Sequence, residues 1–152
     1  MALLDVADWC EKGIAPAPTT RYEFAVGQIR VPEYAADRGG LQPTVQALAN
    51  GEKAVTVKAG DSVVFTAKIQ VPPNSGSVTK AAWDYEFTND FSQAEELHEE
   101  ADGSVTVRST HRFDIPGTYF PVIKVQSNRN GTLDDIFTQC KNLDRVWVNV
   151  TE

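Results

Sequence analysis

Alternation of apolar and polar residues is the main pattern of this chain after position 41. Between positions 62 and 71 the apolar residues fall at every second position, namely Val63, Phe65, Ala67, Ile69 and Val71. This period of two predicts a β-strand with one buried face. The period recurs in 77–87, 104–113, 118–127 and 145–150, with glycine or proline turns between several of the runs. Short alternating strands separated by such turns predict an all-β, antiparallel β-sandwich.

The first forty residues have a different pattern. Apolar residues at helical spacing predict a short helix over 2–12, with one face formed by Leu3, Val6, Ala7 and Cys10. Gly13 is placed to end this helix, and two short runs flanking Gly27 predict a hairpin. We therefore predict an N-terminal helix and extension over 1–40, packed on a sandwich domain over 41–152.

Length and charge exclude several classes of partner. The chain has 152 residues, enough for one domain, and a net charge of −7 without a basic stripe. Nucleic acid and anionic membrane surfaces are therefore excluded as partners. No apolar run is long enough to span a bilayer, and Met1 leads directly into an acidic amphipathic segment. We expect any export signal to lie upstream of this segment.

The two cysteines do not form a dense disulfide pattern. Cys10 and Cys140 lie far apart in sequence, so one disulfide is possible, and two free thiols are the simpler expectation.

Three motifs in order resemble the polycystic-kidney-disease (PKD) domain, an immunoglobulin-like β-sandwich common in secreted bacterial enzymes. That family shows Trp-Asp-Phe-Gly-Asp-Gly, then His-x-Tyr, then Pro-Gly-x-Tyr-x-Val. The matching residues here are Trp83, Asp84, Tyr85, His111, Phe113, Pro116, Gly117 and Tyr119. Glu86 and Phe87 replace Gly-Asp, so we expect a longer turn than the family has, and Pro121 stands where valine is usual. The resemblance covers about 41–151 and implies a PKD-like fold.

A second resemblance lies near the start. Residues 3–16, LLDVADWCEKGIAP, resemble the last helix of tannase and feruloyl-esterase-like α/β-hydrolases. Together the two resemblances imply a domain from the C-terminal part of a secreted bacterial hydrolase-like protein. They imply an extracellular or periplasmic location and a partner in the upstream domain of the same chain.

We interpret four residues of the PKD-like motifs as structural core: Trp83, Tyr85, His111 and Tyr119. A tryptophan on the third strand of such a sandwich anchors the core. His111 is expected to hydrogen-bond to backbone or a polar neighbour, and Tyr119 to form a tyrosine corner with nearby backbone. Asp84 and Glu86 have the opposite phase, which predicts a solvated strand face.

An apolar patch is predicted on the outside of the sandwich. If Tyr119 faces the core, Phe120 and Val122 face outward, and Trp147 takes the outward phase of the last strand. Such a patch indicates a partner. The N-terminal segment, with Leu3, Val6, Trp9 and Tyr22, is the predicted cover, and the alternative is a sugar or a docked catalytic domain.

Loop oxygens suggest one metal possibility. Asn89 and Asp90, with Asp102, could gather as calcium ligands, but they lack the regular spacing of an EF-hand loop, and an ordinary acidic loop is the preferred interpretation. No other cofactor is predicted. No nucleophile, base and orienting acid occur in a catalytic pattern, so we predict no enzyme activity.

The sequence therefore favours a non-catalytic accessory domain that acts as a spacer or makes weak contacts with polysaccharide or protein. The alternative is a carbohydrate-binding module with an exposed aromatic platform. An independent enzyme is the remaining alternative.

Overall fold

The structure, a computed structural model, describes residues 2–129, 131–133 and 135–152. Its helices are α1 (Ala2–Lys12) and α2 (Ala35–Arg38). Its strands are β1 (Glu23–Ala25), β2 (Gln28–Arg30), β3 (Thr44–Ala49), β4 (Ala54–Lys58), β5 (Ser62–Gln70), β6 (Ser77–Asp84), β7 (His98–Glu99), β8 (Val105–Arg112), β9 (Gly117–Tyr119), β10 (Val122–Asn128), β11 (Gln139–Arg145) and β12 (Trp147–Thr151). The predicted all-β class with a short N-terminal helix is confirmed.

Two layers of sheet face each other across one core. The first layer is antiparallel, in the order β3-β5-β8-β7. The second contains the orders β11-β10-β6 and β4-β12-β9, in which the pair β12–β4 is parallel. The arrangement of β3-β5-β8-β7 opposite β6-β10-β11 matches the strand order of the seven-stranded immunoglobulin sandwich.

The second layer is divided by a proline. Pro121 lies between β9 and β10, and because proline has no backbone N–H it cannot continue the strand ladder. The Val146 amide, between β11 and β12, donates to the Pro121 carbonyl at 3.0 Å. This bond keeps the two halves of the layer side by side.

The core is built from the inward positions that the alternation predicts. Val63, Phe65, Ala67 and Ile69 of β5 are all fully buried. The Phe65 ring centre lies 5.1 Å from those of both Trp83 and Tyr85. Trp83 is 5% exposed, which confirms it as a core residue.

Strand β11 was not predicted from sequence. It pairs antiparallel with β10, but several of its side chains hydrogen-bond instead of packing on apolar neighbours. Asn142 Nδ2 donates to the Pro43 carbonyl (2.8 Å), and Asp144 Oδ2 accepts from the Ala47 amide (2.7 Å) and from Lys53. Because β11 contacts the other layer through polar side chains, its sequence lacks the apolar alternation by which the other strands were predicted. Asn130, in the polar loop predicted before it, lies outside the described residues.

Helix α1 forms as predicted and ends at Lys12, directly before Gly13, whose φ is 69°. The prediction that it covers the outer patch is wrong. Leu3 is 86% exposed, and Val6 and Trp9 are also exposed. Asp5 of the helix forms an ion pair with Arg129 (3.2 Å). Arg129 directly follows Asn128, the last residue of β10, whereas Val122 is the first residue of that strand. The helix therefore contacts the end of β10 that lies far from the patch.

The later part of the extension does contact the sandwich. Ala35 of α2 is buried, and Gln46 Nε2 on β3 donates to Glu33 Oε1 at 2.6 Å. The Gly40 carbonyl accepts from the Ser75 hydroxyl at 3.2 Å. The domain division at residue 40 stays a prediction, and these contacts favour a start nearer to residue 33.

Candidate functional site

The outer face of β9–β12 carries a pair of aromatic rings. Phe120 and Trp147 are 38% and 52% exposed, and their ring centres lie 5.4 Å apart. Both point away from the core because Pro121, Val146 and Val148, their neighbours in sequence, are buried. The structure therefore brings together two of the three residues predicted for the outer patch.

Val122, the third predicted residue, lies further along β10, opposite Arg145 on β11. It lines an apolar depression of about 470 Å³ with Phe87, Phe91 and Leu143. The patch is thus longer than the sequence predicts. We call it the outer strip, and it consists of Phe87, Phe91, Phe120, Val122, Lys124, Leu143, Arg145 and Trp147.

Two cations lie among the aromatic rings of the outer strip. The Arg145 guanidinium lies 5.8 Å from the Phe120 ring centre, and Lys124 Nζ lies 4.0 Å from that of Phe91. Such placements favour cation–π attraction. Aromatic residues with arginine form the composition that is enriched in protein interfaces.

Trp147 also borders a second, shallower depression. This space of about 340 Å³ is lined by Ala54, Val55, Thr56 and Asn149 as well as by the indole. An aromatic ring beside hydroxyl and amide groups can stack on a sugar and hydrogen-bond to it.

The connection that follows β6 is organised by Asp84, and the prediction that this carboxylate is solvated is wrong. Asp84 is 5% exposed. Its two oxygens accept hydrogen bonds from the Glu86, Thr88 and Asn89 amides and from the Thr88 hydroxyl, at 2.6–3.3 Å. The carboxylate is buried because loop donors replace its water.

The alternation predicted over 77–87 would place Phe87 in the inward phase with Trp83 and Tyr85, but Phe87 does not face inward. Strand β6 ends at Asp84, and Phe87 follows in a left-handed conformation (φ 60°) with its ring exposed. The turn around the Asp84 carboxylate ends the strand three residues before position 87, where the predicted alternation ends.

The residues predicted as calcium ligands make other contacts in the structure, and the calcium site stays a prediction. Asp90 Oδ1 accepts a hydrogen bond from the Ser92 amide at 2.9 Å, and the Asn89 amide donates a hydrogen bond to Asp84. Asp102 pairs with Lys68 at 2.8 Å, and Lys68 and Ser104 hold the pKa of its carboxyl well below the usual range. Within the described ranges, no group of three or more His, Cys, Asp or Glu side chains gathers to hold a metal ion.

A stack of rings leads from the core to a polar cavity. Tyr85 lies parallel to Trp83 at 5.9 Å and to His111 at 4.2 Å. The expected hydrogen bond of His111 is not formed by Nε2, which is buried without a partner in the described part of the chain. Stacking on Tyr85 and an edge contact with Phe113 hold the imidazole instead.

The cavity beside this stack has a volume of about 400 Å³, and burial affects three of its titratable groups. Burial raises the pKa of Tyr85 to about 12, and Glu95 contributes in the same direction. Burial also raises the pKa of Glu95 and lowers that of His111. The cavity therefore favours a neutral imidazole and a protonated phenol.

Sequence reasoning missed Glu95 and Ser109 as cavity residues. Ser109 and His111 follow Val105 and Val107 on the inward face of β8, and two polar residues in an inward phase are the signal that could have revealed the cavity. Glu95 carries no such signal, because it lies in a connection without periodicity.

Tyr119 behaves as predicted. Its hydroxyl donates to the Ile115 carbonyl, four residues upstream, at 2.9 Å, the bond of a tyrosine corner. Cys10 and Cys140 are both free thiols.

A scan against protein-family models finds no match to the chain, and a search of curated proteins finds none either. The resemblances to PKD domains and to hydrolases therefore stay predictions. Across the part of the chain that the structure describes, no helix has the length and apolar character needed to cross a lipid bilayer.

Proposed function

We propose that this chain is a non-catalytic interaction domain whose outer strip docks on another protein surface. The observation that carries the proposal is the half-exposed ring pair of Phe120 and Trp147, 5.4 Å apart and flanked by Arg145. These rings stabilise no part of the core, because they face away from it. Clustered aromatic residues with an arginine act as anchors when a partner removes them from water.

Three residues of the PKD-like motifs have architectural positions, which supports a non-catalytic role. Trp83 lies in the core, Asp84 closes the turn after β6, and Tyr119 fixes the approach to β9. On the resemblance of residues 3–16 to hydrolases, we infer that the partner is a hydrolase-like domain of the same secreted protein. An extracellular or periplasmic location follows from the same inference.

Photo-crosslinking tests the docking. A benzophenone amino acid is placed at position 147 in the protein expressed in its source cells, and at position 9 in a matched control. Both tryptophans are half exposed, but Trp9 lies on α1. We expect a discrete protein or intramolecular adduct from position 147 alone, and Arg145→Glu should abolish it. Equal labelling from both positions, or none from position 147, contradicts the proposal.

Polysaccharide is the second candidate partner, favoured by the depression in which Thr56 and Asn149 lie beside the Trp147 indole. Affinity electrophoresis against a panel of glycans, with Trp147→Ala and the matched Trp9→Ala, tests it. Retardation that Trp147→Ala removes and Trp9→Ala leaves intact supports a sugar platform. Unaltered migration with every glycan rules it out.

A further inference from the structure

Three buried polar atoms without partners lie on residues that line one cavity. They are Trp83 Nε1, Tyr85 Oη and His111 Nε2, and none makes a hydrogen bond of normal geometry among the described residues, although burial raises the pKa of Tyr85 and the nearby Ser109 side chain opposes that rise. Buried polar side-chain atoms are nearly always paired, because an unpaired one loses its hydration without replacement. Three such atoms on residues that line one cavity favour a ligand that completes their hydrogen bonding once it enters.

The cavity suits a small molecule. Its volume of about 400 Å³ falls in the lower part of the roughly 300–1,000 Å³ range of ligand pockets. Ser109 and Thr110 of β8 form one side, and Gln93 and Glu95 of the connection between β6 and β7 form another. The Glu95 amide donates to the Ala81 carbonyl at 2.9 Å, which holds this connection along β6.

The lining selects the chemistry of the ligand. Among the described lining residues there is no lysine or arginine, whereas Glu86, Asp90 and Glu95 are present, so anions are disfavoured. The indole N–H of Trp83 needs an acceptor, which a bare ammonium ion does not offer. A hydroxyl both donates and accepts, so one neutral polyol can satisfy the indole, the phenol, the imidazole and a carboxylate together.

We propose that this cavity binds a neutral, hydroxyl-rich ligand of monosaccharide size, whose hydroxyls pair with Trp83 Nε1, Tyr85 Oη and His111 Nε2. These three atoms are closed off from bulk water. The ligand therefore displaces side chains of the connection that carries Glu95 as it enters. This site is separate from the ring pair of Phe120 and Trp147, so either proposal can fail alone.

Nitrogen-15 correlation spectra of the full chain test the proposal directly. The three tryptophans give three indole N–H signals, which Trp9→Phe and Trp147→Phe assign. Glucose, galactose, N-acetylglucosamine and glycerol are titrated to about 100 mM, because a bare, weak site is expected to bind at millimolar concentration. We expect a saturable shift of the Trp83 signal with at least one probe. The Trp9 and Trp147 signals should not follow it.

Two further probes and one variant define the outcomes that overturn the proposal. Methylammonium and inorganic phosphate are titrated alongside, and a Trp83 response to either of these alone refutes the ligand class. No response to any polyol refutes the site. A polyol response of Trp83 that Trp147→Ala abolishes also refutes it, because binding would then occur at the outer strip.

Variants separate binding from a structural role. Tyr85→Phe removes one pairing group, and we expect binding to weaken at least about tenfold while the thermal midpoint does not fall. Glu95→Gln should weaken binding severalfold. The matched control Glu96→Gln, whose side chain is exposed and does not line the cavity, should leave binding unchanged. Wild-type affinity in Tyr85→Phe overturns the proposal.

Discussion

The Tyr85 hydroxyl is buried and makes no hydrogen bond of normal geometry within the described residues, although burial raises its pKa and the nearby Ser109 side chain opposes that rise. Removing the hydroxyl should therefore stabilise the protein, because the folded state no longer carries the free-energy cost of taking that group out of water. We expect Tyr85→Phe to raise the free energy of unfolding by about 1 kcal/mol in the absence of ligand. Urea denaturation monitored by tryptophan fluorescence measures the change.

Tyr119→Phe is the matched control for this prediction. The Tyr119 hydroxyl has a partner in the Ile115 carbonyl, so the same change of atoms should lower the free energy of unfolding by about 1 kcal/mol. Effects of the same sign in both variants would contradict the assignment of Tyr85 as unpartnered.

His111 predicts a pH dependence of stability. Its pKa in the folded state lies below the ordinary value of 6.5 because burial disfavours the imidazolium, although Glu86 and Asp114 oppose the shift. As the pH falls through 6.5, the unfolded state binds the proton first, so stability is lost below that pH. We expect His111→Phe to reduce the loss of unfolding free energy between about pH 7.5 and pH 5.5.

The second histidine provides the control for that measurement. His98 is exposed, and its Nε2 lies 3.9 Å from Glu96. His98→Gln should leave the pH profile close to that of the wild type. If instead His98→Gln flattens the profile and His111→Phe does not, the burial of His111 does not control it.

At the residue scale, the alternation of a strand predicts which face a side chain takes but not what it contacts. The inward phase correctly predicts that Trp83 is buried, because a large apolar ring on the inner face of a strand is stable only in the core. It fails for Asp84, whose burial depends on loop amides that fold back from positions 86–89. A contact made by a later, aperiodic segment is not encoded in the strand itself.

The connection between β6 and β7 depends on one carboxylate. Asp84→Ala should leave the Glu86, Thr88 and Asn89 amides without their acceptor in a half-buried turn. We expect the free energy of unfolding to fall by about 2–4 kcal/mol, since several donors lose one charged partner. Chemical denaturation measures the loss, and hydrogen exchange of the three amides should accelerate.

Asp90→Ala is the matched control in the same connection. Asp90 is exposed, and its carboxylate accepts from the Ser92 amide in an ordinary turn. We expect its replacement to cost less than about 1 kcal/mol. Similar losses for both variants would show that Asp84 is not the organising group of the connection.

At the element scale, strands buried between the layers could be predicted and strands joined by polar groups could not. β5 and β8 alternate because one face of each packs on the core. β11 escapes the pattern because Asn142 and Asp144 satisfy backbone groups of the other layer. Pro121 could be recognised in the sequence as a break between two strands. How the sheet continues past that break could not be predicted, because it depends on the Val146 amide, which donates to the Pro121 carbonyl.

At the scale of the whole molecule, the connection between β6 and β7 contributes residues to both the outer strip and the polar cavity. Phe87 and Phe91 belong to the outer strip, whereas Glu86 and Asp90 line the polar cavity. The turn around Asp84 therefore positions neighbouring side chains on two different surfaces. No sequence pattern predicts this division, because it follows from left-handed residues such as Phe87 and Asn89.

The exposure of α1 predicts how the molecule responds to truncation. The Asp5–Arg129 pair has both side chains about a third exposed, and such pairs contribute little. We expect removal of residues 1–18 to change the free energy of unfolding by less than about 1 kcal/mol. The cut leaves Arg21, whose amide donates to the Arg38 carbonyl at 2.7 Å. Thermal denaturation of the shortened chain measures the effect.

Removal of residues 1–40 is the informative comparison, because it also takes away α2. Buried Ala35, the bond between Glu33 and Gln46 and the contact of the Ala35 amide with Gln70 are then lost, so β3 and β5 lose contacts with the extension. We expect this longer deletion to cost about 2 kcal/mol or more. If both deletions lower the midpoint equally, α1 packs on the sandwich in solution. The exposed Leu3 and Trp9 would then be the residues that make that contact.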